Sequence, residues 1–360
     1  MSTLFGALGL DDNEKATIGA VGQGLVFDAI NAVFEEHNAD VEKALSVFVE
    51  KQTENYTERY LLPGGGKLQL LADQAPSAAV KRSGYWDVAY PLRGWGAALA
   101  GSRVSLAYLT VQELDAHLKT ILAQDLNTLR WRILTALFED TNLTFTDPIW
   151  GSLTIRRLAN GDGTLYPPVT GSETEAEENH YLYTGYDVAD IDVSNNPAAT
   201  VRADLEHHFG GRGTFGDNVV LFHHSEATPY LAAIAGYASV EDKYVSDNYP
   251  LGGVVSNIPN VPGRVHGRLT GCWLSEWAAI PTLHYIGVHL DAPKPLVMRV
   301  DPSSTGLGRG LHLVQVDREY PLQSAYYERR FGLGCGNRLS AAAVEVSELG
   351  SYTPPAGFTE

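Results

Sequence analysis

The stretch from Thr110 to Glu139 constrains this chain more than any other, because it runs thirty residues without a proline or a glycine. Thr110, followed three residues later by Glu113, has the form of a helix-starting capping box. Behind it Leu114, Leu118, Ile121, Leu122, Leu129, Ile133 and Leu137 recur at three- and four-residue steps, the spacing of one helical face. Gln112, Asp115, Lys119, Gln124 and Arg130 are assigned to the opposite, polar face. Thirty helical residues extend about 45 Å, far beyond the mean of about 11–12 residues. A rod of that length predicts a structural spine rather than the loop scaffold of an active site.

The segments on either side must be arranged along that rod. Residues 1–55 read as a helical arm. Leu25, Phe27, Ile30, Val33 and Phe34 form an apolar stripe, Glu35-Glu36-His37-Asn38 is read as a break, and Asp40 as the cap of a second helix carrying Val41, Ala44, Leu45, Phe48 and Val49. This pair either packs on its own body or reaches a neighbouring subunit. Residues 56–109 change character. Pro63-Gly64-Gly65-Gly66 marks a turn, and Gly84, Gly94, Gly96 and Gly101 alternate with Tyr85, Trp86, Tyr90 and Trp95. Strand-like runs at 67–71 and 85–90 suggest a long antiparallel hairpin or extended loop, and an isolated hairpin needs a cover in water.

Beyond the rod the signals are mixed. Trp150, Leu153, Ile155 and Leu158 are followed by the turn Asn160-Gly161-Asp162-Gly163, then an acidic loop at Glu173, Glu175, Glu177 and Glu178. Asn196-Pro197 opens a helix lined by Val201, Leu205 and Phe209 and closed by Gly210-Gly211. A strand at 218–222 and a short helix from Ser225 come next. Residues 247–270 are rich in Gly, Pro and Asn and read as irregular, and strands resume near 271–274, 285–290, 296–300 and 311–316. The order predicts an α+β fold.

Composition narrows the function. A formal charge of −17 and the lack of a Lys/Arg tract argue against a sequence-reading nucleic-acid binder, but suit a container wall that must not hold packed DNA. Cys272 and Cys335 fit no zinc spacing and read as reduced core thiols. No run reaches the ~20 apolar residues of a membrane span, and the first residues lack the basic and apolar regions of a signal peptide. There is no P-loop, dinucleotide fingerprint, nucleophile elbow or helical zinc motif. Two pairs, His207-His208 and His223-His224, could supply one histidine each to a metal site completed by Asp204 or Glu206. The default is that they are unrelated core or surface histidines. Carboxylate pairs with Trp86, Trp95 or Trp150 as sugar platforms are conceivable, although spacing cannot place two carboxylates face to face. No catalytic, cofactor or metal residue is therefore assigned.

The last third carries a resemblance. Val265-His266-Gly267-Arg268-Leu269-Thr270-Gly271-Cys272-Trp273-Leu274, then Ala279-Ile280-Pro281, Tyr285-Ile286-Gly287-Val288, and the run from Pro295 to Pro302 resemble successive elements of the tailed-bacteriophage major capsid proteins, the Hong Kong 97-like fold family. Tyr326-Tyr327-Glu328-Arg329-Arg330-Phe331-Gly332-Leu333-Gly334, with Ala342-Ala343-Val344-Glu345-Val346, resembles the family's ending.

The resemblance implies an N-terminal arm (1–56), an extended hairpin loop (57–109) lying over a neighbour, a peripheral domain with the spine helix (110–145 and 290–350), an axial domain (146–289) and a C-terminal tail (351–360). It implies a non-enzymatic shell subunit without cofactors. Its partner is itself, in hexamers and pentamers forming an icosahedral shell around double-stranded DNA, with scaffold, portal and decoration proteins as further partners. The location implied is the virion, after assembly in the host cytoplasm. No long charged coiled-coil prefix is visible, so any scaffold is expected to be a separate protein. Some shells of this family are stapled by a Lys–Asn isopeptide bond, for which Lys67 or Lys81 and Asn337 fall in suitable regions. An encapsulin-type nanocompartment shell and, in another class, a soluble carbohydrate-active hydrolase are the alternatives.

Overall fold

A computed structural model describes residues 17–18, 23–62, 84–100, 108–167, 176–209, 218–240, 261–316 and 324–359. The first element is a single helix, α1 (Gln23–Leu45), which runs straight through the expected break. Glu35 and Glu36 simply face solvent there, while His37 and Asn38 turn inward to polar partners. Val26, Phe27, Ile30 and Phe34 are buried, whereas Leu25, assigned to the same stripe, is exposed. Phe48 and Val49 do not extend a helix: β1 (Val49–Thr53) is a strand.

The hairpin of β2 (Thr57–Leu62) and β3 (Gly84–Ala89) follows, in register from Thr57 against Ala89 to Leu62 against Gly84. The Pro63–Gly66 turn and the strand-like run at 67–71 lie outside the described residues. The expectation that 57–109 forms one projecting loop is corrected over β4 (Arg93–Ala100), which pairs antiparallel along Ser324–Phe331 of this same chain. The reason is a period-two pattern hidden by small residues. Leu99 is buried and Trp95 and Ala97 half-buried, while Gly94, Gly96 and Ala98 face outward. A Cβ on Gly96 would stand 2.9 Å from the Tyr327 carbonyl oxygen, so the close approach of these strands requires glycine there.

Helix α2 (Val111–Phe138) is the long rod. Both halves of its capping box form: the Glu113 amide donates to Thr110 Oγ1 (3.2 Å), and the Thr110 amide to Glu113 Oε2 (2.9 Å). Asp115, assigned to the polar face, is buried, as are Asp125, Arg132 and Thr135. Phe27, Ile30 and Phe34 of α1 pack with Leu114, Leu118 and Ile121 of α2, each such burial stabilising the fold by about 1.5–3 kcal/mol.

After the rod come β5 (Leu143–Asp147) and β6 (Gly151–Ile155), a hairpin, then β7 (Leu165–Tyr166), β8 (Ala176–Glu177) and β9 (Tyr181–Tyr183). Asn196 caps α3 (Pro197–Phe209), its Oδ1 accepting from the Ala198 amide at 3.0 Å. Then follow β10 (Val219–His223), α4 (Thr228–Ala233) and β11 (Ala238–Ser239). The Gly/Pro/Asn-rich stretch proves regular at its end, where β12 (Arg264–Leu269) forms a hairpin with β13 (Cys272–Glu276). Its two-residue turn puts Thr270 at φ 51° and Gly271 at φ 84°, the hand that matches strand twist. The last strands are β14 (His284–His289), β15 (Leu296–Val300), β16 (Leu311–Val316), β17 (Ser324–Cys335) and β18 (Ala341–Glu345).

Two sheets organise these strands. In the first, β1, β15, β17 and β16 are neighbours in that order and β4 also pairs with β17. In the second the order is β11-β12-β13-β10-β14-β18-β9. This corrects the expected boundaries. The returning strand β18 belongs to the second sheet, beside β14, rather than with 290–340. β6, placed by sequence with the second body, instead packs against β3 and β17. One hydrophobic core joins both sheets, with Phe222, Ile286 and Val288 from the second meeting Leu296, Met298 and Phe331 from the first and Ile133 and Leu137 of α2. The end of the chain straps that junction: the Tyr352 hydroxyl donates to the Phe138 carbonyl at 2.7 Å, and Trp131 Nε1 to the Gly357 carbonyl at 2.8 Å.

Candidate assembly surfaces and buried polar clusters

Three elements meet at a buried charge pair. Arg329 of β17 donates from Nε to Asp125 Oδ1 (2.6 Å) and from Nη2 to Oδ2 (2.8 Å), a two-pronged contact from sheet to rod. His37 Nε2 reaches the same carboxylate at 2.8 Å, and Asn38 Oδ1 accepts from Arg329 Nη2 at 2.8 Å. Burial pushes the Asp125 carboxyl up, but its bonds from His37 and Arg329 outweigh that and hold it below the usual range. The four side chains lock α1, α2 and the first sheet in one arrangement.

A second node grows from the Asn160–Gly163 turn. Asp162 accepts from Arg338 (2.7 Å), Arg156 (2.6 Å), Thr164 (2.6 Å) and Asn142 (2.7 Å). Burial opposes its ionisation, and the Arg338 guanidinium overcomes it, so the carboxyl stays far below its usual value. Arg338 also donates to the Arg157 carbonyl and to the Tyr166 hydroxyl. Both nodes are structural, and sequence reasoning missed them because Asp125 and Arg338 carry no motif.

The histidines rearrange the expected pairing. His223 meets His266 of β12, Nε2 to Nε2 at 2.8 Å. His223 Nδ1 faces the His224 carbonyl (2.8 Å), which can only accept, so His223 Nε2 must accept from His266 Nε2–H. His266 Nδ1 is left to accept from the Tyr237 hydroxyl at 2.9 Å. Every group is satisfied with both rings neutral, and burial drives His223 down to about 4 and lowers His266 as well. The side chains of His207 and His208 lie outside the described residues. Asp204 is 3.7 Å from His180, and Glu206 pairs with Arg202 at 2.5 Å. Among the described residues no group of three or more His, Cys, Asp or Glu could hold a metal ion, and no described helix is long and apolar enough to cross a membrane. Cys272 and Cys335 are free and buried, and burial pushes both thiols up to about 12.

The candidate cross-link and sugar residues are dispersed. Lys67, Lys81, Glu173 and Glu175 lie outside the described residues. Asn337 is engaged at home, donating to the Pro293 carbonyl (3.1 Å) and accepting from the Leu339 amide (3.1 Å). Trp86 stacks on Tyr60 (5.5 Å), Trp95 lies edge-on to Trp131 (6.2 Å), and Trp150 stands in solvent.

Exposed apolar side chains among the described residues include three sites on paired strands. On the β2–β3 hairpin the exposed Leu61 and Tyr85 lie directly opposite each other, with the Arg59 guanidinium 3.9 Å over the Tyr85 ring. On the outer side of the first sheet, Gly94, Gly96 and Ala98 floor a trough of about 480 Å³ walled by Val314 and Tyr326. The carboxylate in its lining, Glu328, is paired with Arg330 at 2.6 Å. The third is the β5–β6 tip, Ile149-Trp150. Patches of this kind mark interaction surfaces.

No protein-family model matches the chain, and no curated protein matches it. Solved structures do. A chain of the structure titled "Mycobacterium phage Patience" is 17% identical with a TM-score of 0.67, covering 97% of this chain and 95% of that one. A chain titled "Capsid of native GTA particle computed with C5 symmetry" is 14% identical with a TM-score of 0.48, covering 85% and 90%. Another, "The capsid of Myoviridae Phage XM1", is 11% identical with a TM-score of 0.45, covering 84% and 90%.

Proposed function

We propose that this chain, which has the fold of tailed-phage major capsid proteins, is the major capsid protein of a tailed phage, assembling as hexamers and pentamers into an icosahedral shell around double-stranded DNA. The observation that carries the proposal is the end-to-end likeness to the phage Patience chain, in which nearly all of both chains is covered. In this reading α2 is the spine helix, the first sheet with α1 forms the peripheral body, and the second sheet forms the axial body. The β2–β3 hairpin lies over an adjacent copy, which the outward Leu61 and Tyr85 support, since exposed apolar residues on a two-stranded hairpin gain from a cover. Heterologous contacts of this kind close into rings. The charge of −17 suits a wall that leaves packed DNA free. Scaffold, portal and decoration proteins are the further partners, the virion is the location, and assembly takes place in the host cytoplasm.

Sedimentation and negative-stain microscopy of the purified chain test the reading. Closed particles or ring-shaped capsomers are expected; a monodisperse species at the monomer mass of 39.0 kDa at every concentration would overturn it.

A further inference from the structure

Among the described residues, Ile149 and Trp150 are the only large apolar residues adjacent in sequence that are both exposed, at 84% and 68%. They form the tip of the β5–β6 hairpin, and the tip is held rigidly. Asp147 Oδ1 accepts from the amides of Ile149 (2.7 Å) and Trp150 (2.8 Å), and Gly151 at φ 75° turns the chain back. Asp147 is itself braced by a hydrogen bond from the Tyr56 hydroxyl. The Tyr56 ring in turn lies under the Arg299 guanidinium at 4.6 Å and beside Phe145 at 6.3 Å. The path from the first sheet through Arg299, Tyr56 and Asp147 to the two amides fixes an aromatic and a branched apolar side chain pointing away from their own core.

We propose that the Ile149–Trp150 tip is an anchor that inserts into a second copy of this chain when subunits associate. The inference rests on the shell reading and names a surface within it. A tip that is ordered before contact loses little freedom on binding, and tryptophan is among the residues enriched at the energetic centres of interfaces. The charge of the chain argues for the same occupant. Two copies each carrying −17 repel on average, so a contact between them is best made by groups adding no net charge. Here the two projecting side chains, Ile149 and Trp150, carry no charge, and the neighbouring carboxylate, Asp147, is turned onto their own backbone amides.

Hydroxyl-radical footprinting of the wild-type chain, read by mass spectrometry, compares assembled particles with folded subunits released from them. Trp150 should be oxidised readily in the released subunit and be strongly protected in the particle. Trp150→Ser should raise the concentration needed for assembly by about tenfold without shifting the melting temperature of the subunit, and Trp150→Phe should restore assembly. Equal oxidation of Trp150 in particle and released subunit, or assembly of Trp150→Ser at the wild-type concentration, overturns the anchor while leaving the shell reading intact. Absence of particles from the wild-type chain defeats the shell reading itself.

Discussion

Replacing Asp125 by alanine tests the junction of helix and sheet most directly. The substitution strands the Arg329 guanidinium at 4% exposure, without the two bonds of 2.6 and 2.8 Å that now neutralise it. Only Asn38 remains as its partner there, while His37, at 14% exposure, can turn toward water. Breaking a buried pair from one side costs about 3–5 kcal/mol, because the surviving charge keeps its desolvation penalty. For a chain of 360 residues, an unfolding entropy of about 2.1 cal/mol/K per residue gives about 0.76 kcal/mol/K, so the melting temperature should fall by about 5 °C. The double variant Asp125→Leu with Arg329→Met removes both charges and should recover to within about 1 kcal/mol of the wild type. Calorimetry of the purified chain measures both. A single variant that melts within about 1 °C of the wild type would refute the reasoning, since it would mean that Arg329 is solvated or re-paired at little cost.

Other perturbations reach different parts of the fold. His223 falls from 6.5 to about 4 on folding, so below pH 6.5 the unfolded chain binds more protons and stability declines with acid. Between pH 7 and 5 the loss from this residue should be about 2 kcal/mol, and His223→Phe should flatten that slope in urea titrations; an unchanged slope would contradict the neutral-pair assignment. Gly263→Ala meets both a φ of 84° and a Cβ position 2.3 Å from the Glu276 carbonyl oxygen. It should cost about 2 kcal/mol or more, whereas Gly350→Ala, with nothing within 4 Å, should stay within about 0.5 kcal/mol. Tyr352→Ala removes a buried ring and its bond to Phe138 and should destabilise by about 3 kcal/mol in chemical denaturation.

The long rod and the helix at Pro197 were legible because their signals are local. A capping box, a proline after a capping Asn and three- and four-residue spacing all act within one or two turns of chain. The supposed break at Glu35–Asn38 misled because four polar residues in a row look like a loop, yet two of them face water and two face Asp125, Arg329 and Leu311. The β12–β13 hairpin was hidden because Thr-Gly is a weaker turn signal than Asn-Gly. The exposed apolar surfaces were half visible: the aromatics of the glycine-rich segment could be named, but not which of them, like Trp86, would stack on their own chain.

By itself the sequence determined the long rod and the helix at Pro197, which residues carry enough apolar surface for a core, and the net charge of −17. Folding alone decided that β4 closes onto β17 and that β18 crosses to the second sheet. It also decided that His223 meets His266 and that Ile149 and Trp150 remain outside the core. The division has one physical cause. Helix signals are settled by neighbours along the chain, whereas strand partners, buried ion pairs and exposure are settled by residues that are distant in sequence and near only in space.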